Sequence, residues 1–292
     1  MVDFDKGKEL ANKFSGSEVK TTIRYNNEVY MIKYPDPVRD KRNKLSYMNN
    51  QFSEHIGCCI FEHCGFETQK TIMGYFTAPS GIRKIVVACR DFTQNGDTLY
   101  EFSKLVSQIQ VEGKVGTSIE CVRDVIRRNP IIVEKEVLLE KFWDMFVIDA
   151  LIGNSDRYYD NWGIIEAKQN ISFAPIYDCG SSLSALVDDA TMQTILTSRD
   201  ETELRNKEYN VNSCYSLQGQ RIFYHSIFRN SPSELTDAIK RIVPVINLLF
   251  IDELIDETIE MSEIRKEYIK KAVRLRYEQI LLPALSRVRK QR

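Results

Sequence analysis

The chain has 292 residues, enough for one or two domains around a sizeable core, and its 43% apolar and 28% charged content is that of an ordinary globular protein, not a disordered or fibrous one. A net charge of −1 makes no electrostatic case for a nucleic-acid partner, and seven scattered cysteines, an odd number, do not form a disulfide framework and set a reducing compartment as the default. No run approaches the ~18 apolar residues of a membrane span and residues 1–15 lack a signal-peptide core, so a soluble protein synthesised for the cytoplasm is expected.

Residues 20–33 alternate in the strand manner, with Ile23 and Tyr25 before Asn26-Asn27 and Val29, Met31 and Lys33 after it, which predicts a hairpin with a tight asparagine turn. Pro35 and Pro37 lead into a basic loop carrying Arg39, Lys41, Arg42 and Lys44. A helix follows over roughly residues 50–63, with Phe52, Ile56, Cys59, Ile60 and His63 at helical spacing and Gly65 as its cap. Cys58, Cys59, His63 and Cys64 fall in this one apolar stretch with no second Cys-x-x-Cys pair, so they read as buried thiols and not as metal ligands.

Thr68–Thr77 and Lys84–Cys89 predict further strands. Beyond Phe92 the periodicity turns helical at 97–110, 117–129 and 134–152, and again near 232–256 and 262–283, with short β segments at Trp162–Ile165 and Ser172–Ile176. The expectation is a strand-rich unit over residues 1–92, with one helix, followed by a mainly helical unit over 93–292. A basic run, Arg287, Arg289, Lys290 and Arg292, ends the chain as a solvated tail.

The chemistry concentrates in Asp-Arg-Tyr-Tyr-Asp-Asn at 156–161 and Tyr-Asp-Cys-Gly at 177–180. An aspartate five residues before an asparagine, with Asp-x-Gly about twenty residues on, suits phosphoryl transfer, which needs aligned reactants and compensated charge more than covalent help. Asp156 could orient an incoming Ser or Thr hydroxyl, while Asn161 and Asp178 supply the sparse oxygen set that Mg²⁺ prefers. Gly180 would let the backbone turn sharply after Asp178. A polar helix-to-strand turn would also favour Asp and Asn for their own backbone hydrogen bonds.

Upstream, Val29, Met31 and Lys33 share one strand face, which would roof an adenine and present Lys33 to the α- and β-phosphates. An edge lysine is the plainer alternative. Glu54, about twenty residues later on the predicted helix, could hold that lysine or simply be solvated. Ser15, Gly16, Ser17, Glu18, Val19 and Lys20 form a small-residue loop whose N–H groups could cradle phosphates, provided Glu18 points outward.

Together, Gly153-Asn154-x-Asp156-Arg157, Asn161-Trp162-Gly163 and Pro175-Ile176-Tyr177-Asp178-Cys179-Gly180-Ser181-Ser182-Leu183 resemble the HipA-like serine/threonine kinases, and among them the compact CtkA branch. Tyr30-Met31-Ile32-Lys33, Ser53-Glu54, Val86 to Phe92, Phe142 to Phe146 and Met261 to Ile264 extend the likeness over roughly residues 14–280.

The resemblance implies an α+β, bilobal protein-kinase-like fold, an ATP and Mg²⁺ cofactor pair and a protein substrate bearing Ser or Thr. It implies that Lys33 binds phosphate, that Asp156 is catalytic and that Asn161 and Asp178 hold metal. It further implies that Cys89-Arg90-Asp91 is the hinge whose backbone meets adenine, and that Gly16–Lys20 is a phosphate loop in which Ser15 or Ser17 is autophosphorylated. Tyr158 departs from the pattern, standing where the family usually has histidine, and a neutral tyrosine points to weaker loop electrostatics or a different acceptor. No extra N-terminal domain precedes the phosphate loop, which makes a DNA-binding antitoxin partner less expected. A toxin kinase held by an antitoxin, and a pseudokinase that only binds nucleotide, are the competing functions; export as an effector is the competing location.

Overall fold

The computed structural model describes residues 1–12, 20–35, 48–78, 80–93, 96–109, 116–168, 170–200 and 202–290. The basic loop at 39–44 and residues 13–19, which hold Ser15, Gly16, Ser17, Glu18 and Val19, lie outside them. The architecture is α+β and bilobal. Its first lobe is a six-stranded sheet in the order β1-β5-β6-β4-β3-β2, made of β1 (Val2–Asp3), β2 (Lys8–Leu10), β3 (Lys20–Tyr25), β4 (Glu28–Lys33), β5 (Thr71–Thr77) and β6 (Arg83–Arg90). All neighbours are antiparallel except β1 on β5.

The β3–β4 hairpin is the one predicted, with Asn26 and Asn27 both left-handed (φ 49° and 65°), the geometry a two-residue turn needs to match strand twist. Its register sets Lys20 opposite Lys33. One sheet face carries Ile23, Tyr30, Ile32, Val86 and Ala88, closed by Phe4 from the N-terminal segment. The other carries Met31, Val87 and Cys89, with Lys33 on the same side.

Helix α1 (Asn50–His63) forms over the predicted span and ends at Gly65, whose φ of 91° lets the Phe66 N–H reach back to the Phe61 carbonyl. Cys58 is fully buried; burial raises the Cys59 thiol to about 11 and the Cys64 thiol to about 12, so neither is thiolate at neutral pH. Phe52, Ile56, Ile60 and Phe61 of α1 belong to the same apolar cluster as the helical lobe.

That lobe is built on α4 (Lys135–Ile152), which is buried on nearly every side from Phe142 onward. Before it come β7 (Thr98–Glu101), α2 (Phe102–Gln108) and α3 (Ile119–Arg128); after it come β8 (Gly163–Ala167) and β9 (Asn170–Phe173). β7 is a departure from the helix predicted at 97–110: it pairs with β8 and covers an edge that the β8–β9 hairpin would otherwise expose. The strand predicted from Thr68 starts at Thr71, because residues 67–69 bond instead to Ile176 on the way to Asp178.

The chain continues through α5 (Asp189–Thr197), α6 (Thr202–Glu208), the hairpin β10 (Asn212–Leu217) and β11 (Gln220–Phe223), α7 (Tyr224–Arg229), α8 (Ser233–Ile242), α9 (Leu248–Glu257), α10 (Glu263–Arg276), a π-helical turn at Tyr277–Leu281, and α11 (Leu282–Lys290). Arg287, Arg289 and Lys290 are helical, not a loose tail. No helix among the described residues is long and apolar enough to cross a membrane.

Candidate active site

Helix α4 ends at Gly153, whose left-handed φ of 67° turns the chain out of the helix toward Asp156, with the Arg276 guanidinium 3.0 Å from where a Cβ would stand. Asn154, fully buried, then fixes the loop: its Nδ2 donates to Asp149 Oδ1 (2.9 Å) and its Oδ1 accepts the Asp156 N–H (3.0 Å). Asn161 is oriented in turn, its Nδ2 donating to the Asp156 carbonyl at 2.6 Å, which leaves its Oδ1 as the outward end.

Asp178 sits on the second loop with φ 58°, a left-handed conformation unusual for a residue with a Cβ. This corrects the reading of Gly180. The sharp turn is made by Asp178 itself, and Gly180 has no positive φ. Gly180 matters because α1 is close: a Cβ there would be 3.3 Å from Asn50 Cβ and 3.4 Å from Glu54 Oε2.

Lys33, at the end of β4 and 6% exposed, bridges the lobes. Its Nζ donates to Asp178 Oδ1 at 3.0 Å and stands 3.4 Å from Glu54 Oε1, which also accepts the Asp178 N–H at 3.0 Å. Glu54 is 1% exposed and its Oε2 is buried without a hydrogen-bond partner, so the solvated alternative does not hold. Lys20 lies near enough for its charge to act on Asp178.

The two aspartates are driven apart in acidity. Burial, reinforced by the Asp178 charge, lifts the Asp156 carboxyl above its ordinary value, against the Ser181 hydroxyl, which donates to Asp156 Oδ2 at 3.2 Å, and the Arg157 charge. Burial pushes Asp178 the same way, but Lys33, Arg157 and Lys20 together outweigh it and hold that carboxyl below its ordinary value. Such divergence separates a proton-handling carboxylate from a permanently ionised one. Among the described residues no three of His, Cys, Asp and Glu converge to hold a metal. A divalent ion here would therefore take one carboxylate, one amide oxygen and otherwise water and phosphate oxygens, a set that fits Mg²⁺.

Met31 and Cys89 lie on the Lys33 face as a buried apolar surface. The backbone of Cys89 and Arg90, however, is engaged within the sheet. Arg90 N–H donates to the Lys70 carbonyl (2.8 Å), Arg90 O accepts from Gln69 Nε2 (3.2 Å), and Asp91 N–H donates to the Val29 carbonyl (2.9 Å). The Arg90 side chain pairs with Glu28, and Asp91 Oδ1 caps the Thr93 N–H. The chain leaves the sheet only after Asp91.

Sequence reasoning did not single out the element that joins the two loops. Arg157, 1% exposed, donates Nε and Nη2 to Asp149 (3.0 and 3.1 Å), Nη1 to the carbonyls of Asn161 (2.8 Å) and Tyr177, and Nη2 to Cys179 Sγ (3.4 Å). The signal was present: Asp149 is the one charge in the apolar run from Met145 to Ile152 that ends α4, and a buried charge demands a partner.

The family described as "HipA-like C-terminal domain" matches residues 13–243. The chain belongs to the HipA-like family. It is 36% identical, over 256 residues that span 86% of this chain and 76% of the other, to the serine/threonine-protein kinase CtkA of Helicobacter pylori (strain J99 / ATCC 700824). The crystal structure of a Helicobacter pylori proinflammatory kinase CtkA superposes with a TM-score of 0.89 at 34% identity, covering 99% of this chain and 98% of that one. HipA of Shewanella oneidensis MR-1, from a toxin–antitoxin complex with HipB and operator DNA, matches at a TM-score of 0.56 over 96% of this chain and 68% of its own; at 14% identity it speaks for the fold alone. The HipA-like chain described here is, by this kinship, an enzyme of the serine/threonine-protein kinase class.

Proposed function

We propose that this kinase transfers the γ-phosphoryl group of Mg-ATP to Ser or Thr hydroxyls of a protein substrate, and to one of its own serines. The observation that carries the reading is the convergence of Lys33, Glu54 and Asp178 from three distant parts of the chain beside an Asp156 whose acidity is shifted the opposite way. Asp156 accepts the hydrogen bond of the incoming hydroxyl and takes its proton, and the Ser181 hydroxyl holds the carboxylate in line. Asn161 Oδ1 and Asp178 would hold the metal, which would supply charge compensation for the phosphate oxygens.

Lys33 binds the α- and β-phosphates, positioned by Glu54, with Lys20 and the Gly16–Val19 loop adding donors. Adenine lies against Met31 and Cys89, and its backbone contacts fall at the Asp91–Phe92 exit from the sheet and not at Cys89–Arg90. Residues 1–92 and 93–292 serve as the nucleotide and substrate lobes, and Ser15 or Ser17 is the autophosphorylated residue.

The test is incorporation of label from [γ-³²P]ATP into the protein and into a generic basic substrate, comparing the native chain with Asp156→Asn and Asp178→Asn. Loss of incorporation in both variants, each still folding cooperatively, is expected. Equal incorporation in all three would sink the assignment, and ATP-dependent thermal stabilisation without transfer would make the protein a nucleotide-binding module.

A further inference from the structure

We infer that the helical lobe carries a second, separate anion site, which binds the phosphoryl group of a phosphorylated peptide side chain. On this lobe a cavity of about 440 Å³ is formed between α6, α7, the π-helical turn and α11. Three arginines from three elements line it: Arg205, Arg229 and Arg287. Each is anchored by a neutral acceptor. Arg205 Nε donates to Gln279 Oε1 (3.0 Å), Arg229 Nη2 to Tyr209 Oη (3.0 Å) and Arg287 Nη2 to the Phe228 carbonyl (2.9 Å). Neutral anchors fix a guanidinium's direction without cancelling its charge. Among the described residues none of the three makes a salt bridge, although the lobe pairs many of its other arginines, and the lining includes only one carboxylate, Glu278.

The hub of the site is Tyr209, 9% exposed. The Arg205 guanidinium lies 5.0 Å over its ring, and His225 stacks on it at 4.7 Å with 16° between planes. His225 Nδ1 is buried without a hydrogen-bond partner, and burial together with the Arg229 and Arg205 charges lowers the pKa of its imidazolium, keeping it neutral at pH 7. The floor is equally irregular. Pro283 has no N–H to give the Gln279 carbonyl, and the helix before it widens so that the Leu282 N–H reaches back to the Tyr277 carbonyl. Such π-turns are costly and concentrate at functional positions.

Three like charges held around one concavity repel unless an anion joins them, and a phosphoryl group, with three acceptor oxygens and nearly two negative charges, matches three guanidinium forks better than a carboxylate does. A nucleic-acid strand presents phosphates in series and calls for a basic stripe; these arginines line a single concavity. Ile280 and Pro283 in the lining offer apolar contact to a peptide next to its phosphoryl group.

The experiment titrates the full chain, without nucleotide, with acetyl-Ala-Ala-phosphoserine-Ala-Ala-amide, its unphosphorylated twin, inorganic phosphate and a ten-nucleotide single-stranded DNA. Calorimetry should show the phosphopeptide binding at least ten-fold tighter than either the twin or inorganic phosphate. The double substitution Arg205→Gln with Arg229→Gln should weaken it ten-fold or more without changing the melting temperature. In histidine-resolved NMR, His225 alone among the three histidines should shift and titrate at higher pH when the phosphopeptide is bound, separating this site from the cleft beside His55. The inference is overturned if both peptides bind alike, if inorganic phosphate matches the phosphopeptide, if DNA binds more tightly, if His225 stays silent, or if the double variant binds as the native chain does.

Discussion

Two charged clusters lie within one loop's length of each other and are built on opposite terms. Behind the Asp156 loop, Arg157 uses all five of its N–H donors on Asp149, two backbone carbonyls and a thiol, and is sealed from water. In front of it, Lys33, Glu54 and Asp178 are joined but incompletely: Glu54 keeps a buried oxygen without a partner, and the Asp178 side chain is 31% exposed. Groups that hold a fold are saturated, because a half-paired buried charge is costly. Groups that act on a ligand are left with capacity, and the saturated cluster keeps them in place.

The largest effect expected from breaking this contrast is at Arg157. Arg157→Met strands Asp149 without its counter-charge and should cost about 3–5 kcal/mol of folding free energy in urea denaturation, with transfer lost alongside. Asp156→Asn should do the reverse, reducing turnover by about a thousand-fold, roughly 4 kcal/mol of barrier, in steady-state assays while the fold persists. Gly57→Ala comes next. Its Cβ would stand 2.6 Å from Cys179 Cβ, so overpacking of about 1–3 kcal/mol is expected by thermal melting, together with reduced transfer because Asp178 adjoins Cys179.

Acidity sharpens the comparison further, since the two site aspartates should respond to pH with opposite signs. The folded state raises the pKa of Asp156, so its contribution to stability is full below the unfolded carboxyl value of 3.8 and is lost as pH rises through the raised folded value. Asp156→Asn should therefore raise the melting temperature at pH 7, a gain that disappears toward about pH 3. Asp178 is lowered instead, so its contribution is present above the unfolded value and lost as pH falls through the folded one; Asp178→Asn should lower the melting temperature at pH 7. The smallest effect is expected at Tyr158, 42% exposed, where Tyr158→His should change kcat by less than about ten-fold and chiefly alter its pH profile.

Part of this arrangement was legible before the fold, since residues chosen from sequence, Lys33, Glu54 and Asp178, do meet. Asp156, Asn161, Asp178 and Lys33 could be chosen because phosphoryl transfer needs those residue types and spacings, and the Asn26-Asn27 turn and the α1 span are local signals that tertiary context did not override. What escaped depends on contacts that spacing does not report. β7 exists because a hairpin edge needed a neighbour. The short α5, α6 and α7 and the β10–β11 hairpin lack a long periodic stripe, since only a few residues of each reach the core. The role of Arg157 required knowing that Asp149, Asn161, Tyr177 and Cys179 meet at one point. The sharp turn expected at Gly180 lies two residues earlier, at Asp178, and what Gly180 provides is room for α1.

Helix α1 is continuous in chain with the sheet lobe, yet its side chains share the apolar cluster of the helical lobe, while most of the sheet's buried side chains form clusters of their own. Helix α1 packs both ways, against β5 and β6 of the sheet and against α4 and α9 of the helical lobe, and so stands as a wedge between the two bodies. Lys33 stands on the sheet and Glu54 on that wedge. Their 3.4 Å contact is set across that seam, with the 3.0 Å contact to Asp178 beside it, so a shift of the sheet against α1 would alter how the lysine divides its charge between two carboxylates.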